Sequence, residues 1–161
     1  MAAGDTLLIF EPLGNRPPAS GFATLDLRGE FVILDFDDAT NEQARFHAKV
    51  PSHFKGGNLK VLVAWTSTTA ITGNIKLRLE LTRIPLGANL DALPAAGVSF
   101  EIVATCPATS GVLVALESTP LTLTGLAPAD LVRLAVTRLA TDGADTMAGD
   151  WELVAVEIKE A

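Results

Sequence analysis

Short runs in which hydrophobic and polar residues alternate dominate the chain and predict β-strands. The clearest run is 75–83, where Ile75, Leu77, Leu79 and Leu81 alternate with charged residues or threonine. Successive side chains of a strand point to opposite faces of the sheet, so this run predicts a strand with one buried and one exposed face. A helix with 3.6 residues per turn does not produce such alternation.

Comparable runs, separated by Gly, Pro, Asn and Asp, predict strands along most of the chain. They are Thr6–Phe10, 22–27, Phe31–Phe36, Leu59–Ser67, 98–104, 111–117 and 150–159. A hairpin-type turn signal, Gly73-Asn74, separates Leu59–Ser67 from 75–83. We predict that these two long strands form the centre of one antiparallel sheet.

The run 130–138 fits two kinds of element. Asp130 could cap a helix that places Leu131, Leu134 and Arg138 on one face. A strand instead places Val132, Leu134 and Val136 together on one face. The strand pattern is the more regular of the two, and we therefore predict a strand.

Eight to ten such strands with little helix predict an all-β fold, an antiparallel two-sheet sandwich of jelly-roll type. Residues 1–20 are predicted to hold an N-terminal strand followed by a Pro-rich arm at 11–20, because proline cannot donate to a strand ladder. Residues 21–161 are predicted to form the sandwich domain itself.

Composition and charge narrow the classes of function. The chain has 161 residues, of which 12 are basic and 19 acidic, for a net charge of −7, and only 19% are charged. The negative charge argues against binding to nucleic acid or to an anionic membrane surface. The low charged fraction indicates that part of the surface is uncharged or covered by another chain.

Neither a signal sequence nor a membrane-spanning segment is predicted. Residues 1–5 have neither the basic nor the apolar part of a secretory signal, and the apolar runs are far shorter than the ~20 residues that span a bilayer. We therefore expect the protein to fold in the cytoplasm of the cell that makes it.

The cysteine and the histidines offer little chemistry. Cys106 is the one cysteine, so an intrachain disulfide is impossible, and it is predicted to be a small, partly buried hydrophobic residue. His47 and His53 are some fifty residues away in sequence and are not spaced as metal ligands commonly are. No nucleophile motif accompanies any of these residues.

Two acidic clusters were considered as sites. Asp35 and Asp37 would point the same way in an extended strand and could bind calcium, although Asp-rich turns usually cap the backbone. The second cluster consists of Asp142, Asp145 and Asp150, which follow Arg138 and predict a loop-closing ion pair or Asx-turns. We predict no catalytic, cofactor-binding or metal-binding residue, no cofactor and no enzymatic activity.

Several stretches occur in a characteristic order, namely 24–28, 32–40, 50–54, 56–61, Trp65, 72–75 with Arg83, and toward the end Leu134, 137–138 and 145–150. Together they resemble small β-rich virion proteins of tailed bacteriophages, of the head-decoration or tail-fibre type. The resemblance covers most of the chain, from about Phe22 to Ile158, and its motifs mark turns and core strands. Phe54 stands where such proteins often carry an aromatic hydroxyl.

This resemblance implies a jelly-roll-like sandwich that assembles on a virion. The first expectation is a capsid decoration (cement) protein, trimeric, on the outer surface of the head. Its partners would be the major capsid protein or other virion proteins, and the arm at 11–20 would lie across neighbouring subunits. The alternative is a tail-fibre or receptor-binding domain with a shallow carbohydrate site, in which Trp65 and Trp151 would be exposed.

Overall fold

We analysed a computed structural model of the chain, which describes residues 4–95 and 97–161. The sequence analysis predicts no secretory signal at residues 1–5, and the first three of these lie outside the described residues. Within the described ranges the chain forms ten β-strands and one short 3₁₀ turn, Pro12–Gly14. The predicted all-β class, with eight to ten strands and little helix, is confirmed.

The ten strands lie close to the predicted runs, with one addition at Glu42–Lys49. They are β1 (Thr6–Phe10), β2 (Thr24–Arg28), β3 (Phe31–Phe36), β4 (Glu42–Lys49), β5 (Leu59–Ser67), β6 (Asn74–Ile84), β7 (Val98–Thr105), β8 (Val114–Glu117), β9 (Leu131–Arg138) and β10 (Trp151–Glu160). The ambiguous run 130–138 is therefore a strand, as predicted.

The strands form two antiparallel sheets that pack face to face. The six-stranded sheet has the order β2-β3-β10-β5-β8, with β1 also pairing with β10. The four-stranded sheet has the order β4-β9-β6-β7. The predicted two-sheet sandwich is thereby confirmed.

The alternating faces meet in one apolar core. Ile75, Leu77, Leu79 and Leu81 of β6 are each at most 1% exposed, and they belong to the same buried cluster as the tryptophans. The ring of Trp151 lies 6.2 Å from that of Trp65 and 4.7 Å from that of Phe36. Both tryptophans are therefore core residues and cannot serve as exposed sugar-binding rings.

The prediction that β5 and β6 pair at the centre of one sheet is wrong. β5 lies between β10 and β8 in the six-stranded sheet, whereas β6 lies between β9 and β7 in the four-stranded sheet. Alternation shows which face of a strand is buried but not which strand it pairs with. The loop after Ser67 therefore carries the chain from one sheet to the other.

The regular alternation predicted over 150–159 is broken by a bulge. The register of β10 against β5 shifts between Leu153 and Ala155, so that the extra residue is Val154. As a result Trp151 and Leu153 lie in the same core as Val156 and Ile158. Unbroken alternation over 150–159 predicts Trp151 and Leu153 on one face and Val156 and Ile158 on the other, and the bulge corrects that prediction.

The Pro-rich segment packs on its own sandwich instead of extending as a free arm. Pro12 is buried, and the 3₁₀ turn contacts β3 and β10. The backbone N–H of Arg16 donates to the carbonyl of Arg45 at 2.7 Å, and the N–H of Arg45 donates to Oδ1 of Asn15 at 2.9 Å. These bonds cover part of the outer edge of β4.

Among the described residues, no helix has the length and apolar character needed to cross a membrane.

Candidate functional site

The edge of the six-stranded sheet at β2 is unusually open. β2 pairs with β3 alone, and Leu25 and Leu27 lie opposite Leu34 and Val32. Leu34 is buried in the core, whereas Leu25 and Leu27 are 56% and 66% exposed. The four-stranded sheet therefore leaves the inner face of β2 uncovered, and this edge offers apolar surface to a ligand or partner.

A tight turn presents an aromatic ring at the same edge. Gly29 adopts a φ of 60°, which suits the first central position of a two-residue hairpin turn between Arg28 and Phe31. The guanidinium of Arg28 donates to the carboxylate of Glu152 at 2.8 Å, and Glu152 is itself buried. This pair anchors the turn, while the ring of Phe31 remains 68% exposed.

Three hollows surround the exposed side chain of Leu13, and we call them together the Leu13 groove. The first, of about 270 Å³, lies between Leu13 and Phe22, and the second, of about 360 Å³, lies between Leu13 and Phe31. The third, of about 460 Å³, extends from Leu13 to Arg16 and His47. Leu13 and Pro12 line both of the first two hollows.

The Leu13 groove holds the exposed aromatic rings of the chain. Phe22 is 42% and Phe31 is 68% exposed, whereas the other phenylalanines and both tryptophans among the described residues are buried or packed against the core. An exposed ring beside a hollow provides a flat apolar surface. The C–H face of a sugar ring can stack on such a surface.

Polar side chains line the same groove and could bond to hydroxyl groups. Glu11 and Glu30 line the hollow of Phe31, Asn15 lines that of Phe22, and Arg16 and His47 line the third. Aromatic surface with a few polar groups is the composition of ordinary small-molecule sites. The arrangement can bind a ligand that has both apolar faces and hydrogen-bonding edges.

The acidic cluster predicted at Asp35 and Asp37 does not assemble into a metal site. Asp37 accepts hydrogen bonds from the backbone N–H groups of Ala39 and Thr40, the expected behaviour of an Asp-rich turn. Burial, reinforced by the negative charge of Asp150, raises the pKa of Asp35 to about 6. No group of three or more potential ligands suited to a metal ion occurs within residues 4–95 and 97–161.

The second acidic cluster closes a loop, as predicted. Asp145 accepts two hydrogen bonds from the guanidinium of Arg138, at 2.9 and 3.1 Å, and both side chains are almost wholly buried. Asp142 accepts a hydrogen bond from the N–H of Ala144 and thus forms an Asx-turn. These contacts are structural, and they hold the loop that precedes β10.

Cys106 is buried and free, which confirms its predicted role as a small hydrophobic residue. Its thiol donates to the carbonyl of Ala70 at 3.2 Å. His47 lines the Leu13 groove, a position that its spacing from His53 does not predict.

The residues that form the groove were not predicted from the sequence as site residues. The sequence predicts that Phe31 begins a core strand and that Phe22 begins the strand 22–27. Instead, Phe22 makes an isolated bridge to Gln43 before β2 begins. The one sequence feature that indicates the groove is the Pro-rich segment, because a loop that packs against an edge strand creates hollows beside it.

No protein-family model and no curated protein sequence matches the chain. Solved structures are similar in fold. A carbohydrate-binding module CBM36 in complex with calcium and xylotriose is 14% identical, with a TM-score of 0.53, over 94% of this chain and 99% of that one. A family 35 carbohydrate-binding module from Clostridium thermocellum is 12% identical, with a TM-score of 0.53, over 98% of this chain and 100% of that one.

A larger protein contains a similar domain. An exo-β-1,3-galactanase from Phanerochaete chrysosporium, solved with galactose, is 10% identical, with a TM-score of 0.58. The match covers 96% of this chain but only 29% of the galactanase. At these identities the likeness concerns the fold alone: the chain has the β-sandwich fold that these carbohydrate-binding modules share.

Proposed function

We propose that this protein is a non-catalytic carbohydrate-binding module and that it holds a sugar chain in the Leu13 groove. The observation that carries the proposal is the pair of exposed rings, Phe22 and Phe31, on either side of Leu13. Sugar rings would stack on these phenylalanines. Glu11, Glu30 and Asn15 would accept or donate hydrogen bonds at the hydroxyl groups.

The structural neighbours support this proposal over a role on a capsid. Two of them are carbohydrate-binding modules that match this chain over nearly their whole length, and one was solved with xylotriose. The carbohydrate-binding alternative from the sequence is therefore retained with a different site. Its rings are phenylalanines at the β2 edge, since both tryptophans are buried.

Affinity electrophoresis through gels that contain soluble polysaccharides tests the proposal. We expect at least one polysaccharide to retard the wild-type protein and Phe31→Ala to abolish that retardation. Leu86→Ala is the matched control, because Leu86 is 77% exposed on a loop outside the groove. A Phe31→Ala, Phe22→Ala double variant that is retarded like the wild type would contradict the proposal.

A second candidate is structural assembly, as expected of a capsid decoration protein, and the exposed inner face of β2 favours it. Contiguous exposed leucines such as Leu25 and Leu27 commonly mark a protein interface. Light scattering after size-exclusion chromatography tests this candidate. A trimer that Leu25→Thr, Leu27→Thr converts to a monomer would support it, and a wild-type monomer at high concentration would argue against it.

A further inference from the structure

The lysines and arginines that form no ion pair are clustered in one part of this acidic protein. Seven of the twelve form ion pairs with carboxylates. Within the described residues the other five, Arg16, Arg45, Lys49, Lys55 and Arg133, form none. Four of these five lie together beside the Leu13 groove.

The strand β4 explains how two of these cations and a histidine come together. Ala44 and Phe46 are buried, so the alternate positions Arg45, His47 and Lys49 point outward from the four-stranded sheet. Arg133 of β9 lies directly opposite His47 in the strand register. Its Nε atom is buried and has no hydrogen-bond partner.

The loop before β2 connects this row to the groove. The N–H of Arg16 donates to the carbonyl of Arg45 at 2.7 Å, which holds Arg16 against β4. Arg16 and His47 also line the third hollow, next to Leu13. We call Arg16, Arg45, His47, Lys49 and Arg133 the cationic strip, and it begins where the Leu13 groove ends.

Few acidic side chains lie next to the cationic strip. Glu80 is one row away, across Ala135 from Arg45, and Glu11 lines the third hollow. Neither forms an ion pair with the strip among the described residues. A chain with nineteen acidic residues thus leaves four of its five unpaired cations in one place.

We infer that the ligand of the Leu13 groove is an acidic polysaccharide, whose carboxylates bind the cationic strip while its sugar rings stack on Phe31 and Phe22. The inference rests on the proposed function and adds the chemical class of the ligand. Guanidinium groups bind carboxylates with two parallel hydrogen bonds, and a row of cations attracts a polyanion along its length. A neutral polysaccharide would leave the strip without a partner.

The experiment compares acidic polysaccharides with their own neutral forms. Polygalacturonate, alginate and glucuronoxylan are each tested beside the carboxyl-reduced polymer, with the full-length protein at low and at physiological salt. We expect at least one acidic polymer to bind about tenfold more tightly than its reduced form, by a margin that shrinks as salt rises. Phe31→Ala should weaken binding to both forms.

Matched variants locate the charge effect. Arg45→Gln, Arg133→Gln should remove most of the preference for the acidic form and retain the weaker binding of the reduced form. Arg78→Gln is the control, since Arg78 lies on the same outer face but is paired with Glu101 at 2.7 Å. Far-ultraviolet circular dichroism should show that the double variant and the control both keep the fold.

The outcomes separate the inference from the proposed function. Equal binding of acidic and reduced polymers, lost in Phe31→Ala, would overturn the inference and leave the proposed function in place. A preference for acidic polymers that survives Arg45→Gln, Arg133→Gln would also overturn it. Equally tight binding of single-stranded DNA would show a general polyanion surface and overturn the choice of ligand. Binding of no polysaccharide in either form would overturn the proposed function itself.

Discussion

At the scale of single residues, buried charge in this protein is either fully paired or costly. Arg138 is fully buried, and its guanidinium donates to Asp145 and to the carbonyls of Phe36, Met147 and Gly149. One side chain therefore joins the end of β3 to the loop before β10. Breaking a buried pair of this kind leaves the partner charge without compensation.

We expect Arg138→Lys to lower the free energy of unfolding by about 3 kcal/mol, because lysine cannot reproduce the paired hydrogen bonds. Urea denaturation followed by tryptophan fluorescence measures the loss. Arg78→Lys is the matched control, because Arg78 and Glu101 are both about 40% exposed, and it should cost less than about 1 kcal/mol. Similar losses in the two variants would contradict the structural role of Arg138.

Asp35 is the converse case, a carboxyl group whose ionised form is disfavoured. Burial is the main cause, followed by the charges of Asp150 and Glu152, and together they raise the pKa from 3.8 to about 6. The folded state thus holds more protons than the unfolded chain between these two values. Stability from this group is therefore highest at low pH and falls as the pH rises toward 6.

Asp35→Asn should remove this dependence. Allowing for the solvent that reaches the group, we expect the variant to be more stable than the wild type by about 1 kcal/mol near pH 7.5, and by nothing near pH 4. Urea denaturation across that range is the measurement. Asp91→Asn on the exposed loop after β6 serves as control. A gain for Asp35→Asn that is the same at every pH would show that ionisation is not its cause.

At the scale of strands and turns, the sequence predicts faces well and partners poorly. Nine of the ten strands follow from hydrophobic runs, because burial on one face requires alternation. β4 was missed, since its inward positions include the small residues Ala44 and Ala48, which weaken the pattern. The pairing of β5 with β6 failed because partner choice depends on the path of the loop between them.

The same distinction explains what could be predicted of the candidate site. The Pro-rich segment is predicted only as an arm across neighbouring subunits, whereas in the structure it packs on its own sandwich and contributes Leu13, Asn15 and Arg16 to the groove and the cationic strip. The exposure of Phe31 could not be predicted. Phe31 lies on the outer face of the six-stranded sheet, which the four-stranded sheet does not cover, and its exposure depends on which other parts of the chain pack there rather than on any local pattern.

The loop between β5 and β6 contains a turn that only glycine can form. Gly73 has a φ of +92°, and a Cβ atom there would lie 2.6 Å from the carbonyl oxygen of Thr146. We expect Gly73→Ala to cost about 3 kcal/mol, from backbone strain and from displacement of that neighbouring loop. Thermal denaturation measures the effect.

Gly29 provides the comparison, because it also has a positive φ but open space where a Cβ atom would be. Gly29→Ala should cost only about 1 kcal/mol, the strain of the turn alone. If the two variants lost equal stability, the contact between Gly73 and Thr146 would not matter.

At the scale of the whole molecule, the N-terminal segment is part of the sandwich and of the groove. β1 pairs with β10, and Leu7, Phe10 and Pro12 are buried. The ring of Phe10 stacks on Phe46 of the opposite sheet at 5.4 Å. The segment therefore links the two sheets, although the sequence suggested a boundary at residue 20.

A chain of residues 21–161 should not fold as an independent domain. Removing residues 1–20 uncovers the β10 backbone that pairs with β1 and leaves a cavity against Phe46, and each large buried side chain contributes about 2 kcal/mol or more. The total free energy of unfolding of a small domain is only about 5 to 15 kcal/mol. The expected loss is therefore comparable to the total stability of the protein. We expect the truncated chain to lack near-ultraviolet circular dichroism and a cooperative urea transition. Leu13→Thr is the control, because Leu13 is exposed in the same segment, and this variant should unfold like the wild type. A cooperative transition in the truncated chain would show that the sandwich does not need residues 1–20 to fold.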